Sequence, residues 1–250
     1  MLSLYLALIG LLVGLALDAI IVRLAVPPDD DDASDDATEP EGTREATAGP
    51  IIEPPSLHAE AGTLVLALET SRSDWARRLL VVGATAGLFA VAGARYSEVS
   101  HLAVVTAWVS VLLICAGTDL LAYRVPNVVT YPAIIGAIVV GATLPGANIY
   151  EVLAGGLLAG GVLFLPALFT GGRGMGMGDV KLATFVGLSL GFTNVVPAML
   201  VLALGGGLVA AVLLIGGLRK RGEPIPYAPF ISAGGLAALL WAGGSFERLI

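Results

Sequence analysis

Three carboxylates stand inside long apolar runs: Asp18, Asp119 and Asp179. An ionisable side chain in a membrane segment is expensive, so each is a functional candidate by default. Glu98, Glu151 and Glu223 fall in short connections, where a solvated charge is the ordinary reading. Asp119 lies in Cys115-Ala-Gly-Thr-Asp-Leu-Leu-Ala-Tyr-Arg-Val-Pro-Asn127. Pro126 disfavours helix at the residue before it, so Asp119 sits about two turns from the end of its helix. Asp179 lies in Gly174-Met-Gly-Met-Gly-Asp-Val-Lys181, where glycines allow close backbone approach and the aspartate opens the next helix. There it can cap free N–H groups, and the positive helix end favours its charge.

Two carboxylates and a trapped water suffice for peptide hydrolysis without a metal or a side-chain nucleophile. One ionised carboxylate takes a proton from water, while the other, neutral, polarises the carbonyl and later helps to protonate the amine. Carboxylates held close together share one proton, because two adjacent like charges are costly. By its helix position, Asp179 is expected to be the base and Asp119 the acid. Spacing alone leaves other roles open. Asp119 could pair with Arg124 while Asp179 caps a helix, or the acids could relay protons in a transporter.

The elements that must position these groups are membrane helices. Hydrophobic residues make up 56% of the 250 and charged residues 13%, with a mean hydropathy of +0.89. A soluble domain carries about 25% charged residues, so a water-soluble globule is excluded. The first apolar run, Leu2 to Val26, has no basic segment before it and reads as a retained helix. Further helices are expected at 79–95, 99–122, 127–144, 150–170, 179–193, 195–218 and 227–244. The fold class is therefore all-α: a polytopic integral membrane protein of about eight transmembrane helices. Three regions follow: the first helix (1–26), an acidic loop (27–78) and a seven-helix core (79–250).

The loop holds Asp29–Asp32, Asp35 and Asp36, and its composition cannot bury enough apolar surface to fold alone, so much of it is expected to be disordered. Leu57 to Leu68 is expected to form a short interfacial helix. Most of the excess acid behind the net charge of −7 sits in this region. With eight helices and an outer N-terminus, all Lys and Arg except Arg95 and Arg248 fall on the cytoplasmic side. Asp119 and Asp179 then share the cytoplasmic boundary. The only cysteine, Cys115, and the separated His58 and His101 offer no metal site, and no segment suits nucleic acid.

Gly176-Met-Gly178-Asp179-Val-Lys181 resembles the GxGD signature of membrane aspartyl proteases, in the form seen in type IV prepilin peptidases. Asp119-Leu-Leu-Ala-Tyr-Arg124-Val-Pro126-Asn127 is similar to that family's first aspartate motif. Ile225-Pro226-Tyr227-Ala228-Pro229-Phe230 is similar to its element before the last helix. Gly14-Leu-Ala-Leu-Asp18-Ala-Ile-Ile-Val-Arg23 resembles, more weakly, the stretch that ends its first helix. The resemblance implies that Asp119 and Asp179 are catalytic and that Gly176, Gly178, Lys181, Arg124, Pro126 and Asn127 support the site. It implies no metal and no cofactor for proteolysis. It also implies prepilin or pseudopilin substrates with basic leaders, cleaved at the cytoplasmic face of the cell membrane, with pilus or secretion assembly machinery as further partners. Other GxGD enzymes, the preflagellin and signal-peptide peptidases, are the nearest rivals. Many bacterial members also N-methylate the new N-terminus and carry paired CxxC motifs in the first cytoplasmic loop; residues 27–78 hold no cysteine. Asp18 stands where the family usually has Asn.

Overall fold

The computed structural model describes residues 2–26, 57–169, 176–215, 226–242 and 244. The acidic run at 29–36, Arg173 and Gly174 of the glycine motif, the basic 219–221 cluster, Glu223 and Ile225 lie outside these residues. So does the side chain of His58. Every described element is a helix: α1 (Leu2–Ala25), α2 (Leu57–Arg95), α3 (Val99–Ala122), α4 (Asn127–Thr143), α5 (Ile149–Phe169), α6 (Met177–Ile215) and α7 (Ala228–Trp241). Five stretches are long and apolar enough to cross a bilayer: α1, Asp74–Arg95 of α2, α3, α5 and Met177–Val209 of α6. The apolar helices α4 and α7 are shorter.

Two compact units are distinguished, Met1–Val26 with Leu80–Ile250, and Pro27–Leu79. In the second, the helical backbone begins at Leu57. The short helix expected at 57–68 falls within α2, whose bounds are Leu57–Arg95. Arg77 donates to Asp74 at 3.0 Å and Arg78 lies over the Trp75 ring at 5.8 Å.

A straight helix over Met177–Val209 would be about 50 Å long, well beyond a bilayer core of about 30 Å. α6 avoids that length by folding back at Gly191, whose φ of 75° and ψ of 171° only glycine adopts freely. Contacts with α7 show the reversal. A Cβ on Gly235 would meet Val186, before the break, while one on Gly234 would meet the Ala198 carbonyl, after it. Farther along, Gly206 comes back beside Phe230, near the start of α7. The break expected around Thr193 and Asn194 therefore falls at Gly191, because the backbone geometry of so tight a turn demands the glycine.

α5 packs most extensively on α6, α6 on α7, and α3 on α7. Phe185, Leu182 and Val186 of α6 are fully enclosed with Leu112 of α3 and Ile231 of α7. The Trp108 and Phe185 rings meet edge to face, 5.4 Å apart and at 85°, which locks α3 to the first arm of α6. The aspartate-bearing helices α3 and α6 thus meet through this ring contact and through α7, which packs on both. Along α1 the seam is different: Cβ atoms on Gly10 and Gly14 would press on the α2 backbone at Ala86 and Val82. Gly117 of α3 meets Ile21, so Arg23 lies at the same end of the bundle as Arg124.

Candidate active site

α3 stops where the sequence makes it stop. Tyr123 takes left-handed backbone (φ 52°, ψ 37°), and its N–H still closes on the Asp119 carbonyl at 2.9 Å. Such a conformation is uncommon for a residue other than glycine and needs support from its surroundings. Pro126 follows, and it opens α4: its carbonyl accepts from the N–H groups of Val129 and Thr130 and from Thr130 Oγ1, each at 3.1 Å. The chain from α3 to α4 is therefore a tight corner of Tyr123, Arg124, Val125 and Pro126.

Asp119 sits just inside that corner, 5% exposed. Its Oδ2 accepts the Ala228 N–H at 3.0 Å. Ala228 is the first residue of α7, with Pro229 directly behind it, so this N–H is one of the free donors at a helix start. A side chain on α3 thus caps a helix that begins 109 residues later in the chain.

Asp179 is also buried, in the first turn of α6. Its N–H donates to the Gly176 carbonyl at 3.1 Å. Gly178 lets this turn reach the α3–α4 corner: a Cβ there would come 2.9 Å from Val125 Cβ. At Gly176 a Cβ would meet Asp179 Oδ2 at an ordinary 3.5 Å, so contact makes no comparable demand on that glycine. Asp119 and Asp179 lie within electrostatic range of one another. Two carboxylates that sense each other's charge, one of them already bound to a backbone donor, are suited to divide the work of general acid and base.

Of the residues expected to support the site, Lys181 donates to Asn127 Oδ1 at 2.9 Å and lies over the Tyr131 ring at 4.6 Å. Arg124 is exposed and forms no ion pair with Asp119. The alternative in which Asp119 merely neutralises Arg124 is therefore not what the bundle builds. Asp18 is buried on α1, where its neighbour Leu17 packs with Ile21, Val81 and Ile114. Among the described residues no group of three or more His, Cys, Asp or Glu is arranged to hold a metal.

Three contributors escape a reading of the sequence. The Ala228 N–H is one; Pro226 and Pro229 mark a helix start, but not which acceptor its donors meet. Val125, the surface that Gly178 abuts, is another. Tyr131 is the third, and it had a signal: it stands one turn after Asn127 on the same face of α4. The contact with Ala228 also bears on the roles inferred from helix ends. Asp119 lies near the C-terminal part of its own helix and at the N-terminal start of another, so its own helix alone does not determine its electrostatic setting.

Residues 106–215 match the model of the type IV leader peptidase family. The prepilin leader peptidase/N-methyltransferase of Bacillus subtilis (strain 168) is 37% identical over 158 residues, which is 63% of each chain. The protein of that name from Burkholderia pseudomallei (strain 1026b) is 38% identical over 88 residues, covering 35% of this chain and 28% of its own. The one from Xanthomonas campestris pv. campestris is 33% identical over 72 residues, 29% of this chain and 25% of its own. This chain therefore aligns with less than two thirds of the length of each. No solved structure matches it.

Proposed function

We propose that this chain, a member of the type IV leader peptidase family, is an aspartic endopeptidase that removes the N-terminal leader of prepilins or pseudopilins, with Asp119 and Asp179 as its catalytic pair. The observation that carries the reading is the approach of these two buried carboxylates at one end of a membrane bundle, with the Ala228 N–H on one of them. A proton relay across a membrane would need acids at successive depths, whereas these two share one end.

One carboxylate takes a proton from a water held between the pair. The resulting hydroxide attacks the scissile carbonyl, whose oxygen receives a hydrogen bond from the second, protonated carboxylic acid. The proton taken from water then passes to the departing amine as the C–N bond breaks. The Ala228 N–H holds Asp119 at one fixed oxygen, so that its Oδ1 remains for the reaction. Gly176, Gly178, Lys181, Pro126 and Asn127 shape and brace the corner, and Arg124 lies exposed beside it. No metal or organic cofactor takes part in this scheme.

The site faces the cytoplasm of the cell membrane in this reading. The gathering of Arg23, Arg124 and Lys181 at the aspartate end supports it, since cytoplasmic loops collect Lys and Arg. A cysteine placed at Asn148 should then react only with reagent added from outside the cell; labelling from inside would put the pair on the wrong face.

The deciding experiment is reconstitution of the purified chain in liposomes with a prepilin, following leader removal by mass spectrometry. Cleavage before the apolar segment, lost in an Asp179→Asn variant, is the expected result. An intact prepilin with properly inserted enzyme would leave a transporter, a scaffold or a peptidase for other substrates. The same spectra report N-methylation, which we expect to be absent or weak because residues 27–78 contain no cysteine pairs. Stoichiometric methylation in the presence of S-adenosylmethionine would overturn that part.

A further inference from the structure

Lys181 is a cation near the N-terminal end of α6, where the partial positive charge of the helix end disfavours one. Its neighbour in sequence, Asp179, is no partner: residues two apart on a helix do not face each other, and no ion pair joins them. The ammonium instead reaches sideways to α4, donating to Asn127 Oδ1 at 2.9 Å and resting over the Tyr131 ring at 4.6 Å. Asn127 opens α4 and Tyr131 follows one turn later, so the two groups make a single receptor on one face of that helix.

These contacts close a circuit. From Asp119 the chain runs through the end of α3 and the corner Tyr123–Pro126 to Asn127. From Asn127 the hydrogen bond crosses to Lys181, and one helical turn contains both Lys181 and Asp179. The start of α6 is further braced by Val125 against Gly178, a contact with no side chain on the α6 side, and by Val180 and Leu182, which are buried in the core and fix the helix backbone rather than the carboxylate. A turn that begins Met-Gly-Asp has little of its own to fix the direction of the aspartate.

We propose that Lys181, Asn127 and Tyr131 form a clamp that sets the start of α6 against the start of α4 and thereby holds Asp179 at its working distance from Asp119, with Tyr131 as an additional positioning residue. The proposal rests on the reading of the two aspartates as the catalytic pair. The lysine acts through geometry: its hydrogen bond fixes one direction and the aromatic face fixes the other.

The test uses the full chain in liposomes and two readouts. The first is cleavage of a synthetic peptide carrying a basic leader followed by an apolar segment. Lys181→Met and Tyr131→Leu should each lower kcat by about tenfold or more while KM stays within about twofold and the pH profile keeps its shape. Lys181→Arg and Tyr131→Phe, which keep the cation and the ring, should restore most of the rate. The second readout is the distance between nitroxide labels on cysteines at Val128 and Met177, both exposed, in a Cys115→Ala background. That distance should be narrow in the parent and in the two conservative variants, and broad in Lys181→Met and Tyr131→Leu. An unchanged distance in Lys181→Met would overturn the clamp, as would a rate loss in that variant explained by a shifted pH profile. Failure of the parent to cleave would instead count against the catalytic pair, and the label distances would still decide the clamp.

Discussion

Where α5 crosses α6, Gly155 and Gly187 approach so closely that a Cβ on either would fall among backbone atoms of the other helix. At the start of α6, a Cβ on Gly178 would come 2.9 Å from the Val125 side chain. Both are glycine contacts in an apolar bundle, yet they differ in what lies beside them. The first is flanked by Leu188 and Ala159, deep in the core; the second adjoins Asp179 and the corner that carries Asp119. Membrane helices without a hydrophobic driving force between them rely on such small-residue seams for association. In the first seam the closeness serves the association of helices. In the second it serves the meeting of two carboxylates. A glycine in this protein therefore has a task that depends on its neighbours, not on its type.

The sharpest way to break the comparison is at the carboxylates themselves. Asp119→Asn and Asp179→Asn keep size and polarity but cannot transfer the proton, so each should reduce leader cleavage by about 10⁴-fold or more with insertion intact. The double variant should be no worse than either single one, because the two act as a unit. Substantial turnover by either single variant, at equal and verified abundance, would end the aspartic mechanism.

The two seams are separated by alanine substitutions. Gly178→Ala should lower kcat by about ten- to a hundredfold, through a displaced Asp179, while the protein inserts and purifies normally. Gly187→Ala meets a carbonyl oxygen that cannot step aside, and should cost about 1–3 kcal/mol of stability. Thermal denaturation in detergent and turnover per folded molecule, measured on both variants, give the contrast. If Gly187→Ala lost only activity and Gly178→Ala only stability, the assignment of tasks would be reversed.

The smallest effect is expected at the third buried carboxylate. Asp18 is 2% exposed, as deeply enclosed as Asp119, but it belongs to α1 and to its packing with α2 and α3. Asp18→Asn should therefore keep turnover within about threefold of the parent, a loss under about 1 kcal/mol. Burial alone does not make a carboxylate catalytic, and a loss as large as that of Asp119→Asn would show that the pair is a triad.

Much of this was legible along the chain. Apolar runs announce membrane helices because length and composition are local properties, and six of the expected helices match α1, α3, α4, α5, α7 and the first arm of α6 to within a few residues. The glycine before Asp179 and the proline after Asp119 mark their turns for the same reason. α2 was harder to read: residues 57–73 lack the hydropathy of a span, yet they continue the helix of the apolar segment behind them. The sequence suggests a helix break two or three residues later than Gly191, since Thr193 and Asn194 look like a loop while the turn itself needs a φ of 75°.

By itself the sequence determined that the chain is a bundle of apolar helices and that three acids lie inside it, because both follow from the energy of placing each residue in hydrocarbon. Only the tertiary structure decided which of the acids meet. Asp119 and Asp179 come together through the Trp108–Phe185 contact, the Val125–Gly178 approach and the Ala228 N–H. Each joins residues tens of positions apart, and no local pattern of hydropathy or helix propensity records which faces of two helices will pack. That choice is made by the shapes of many side chains filling one space together.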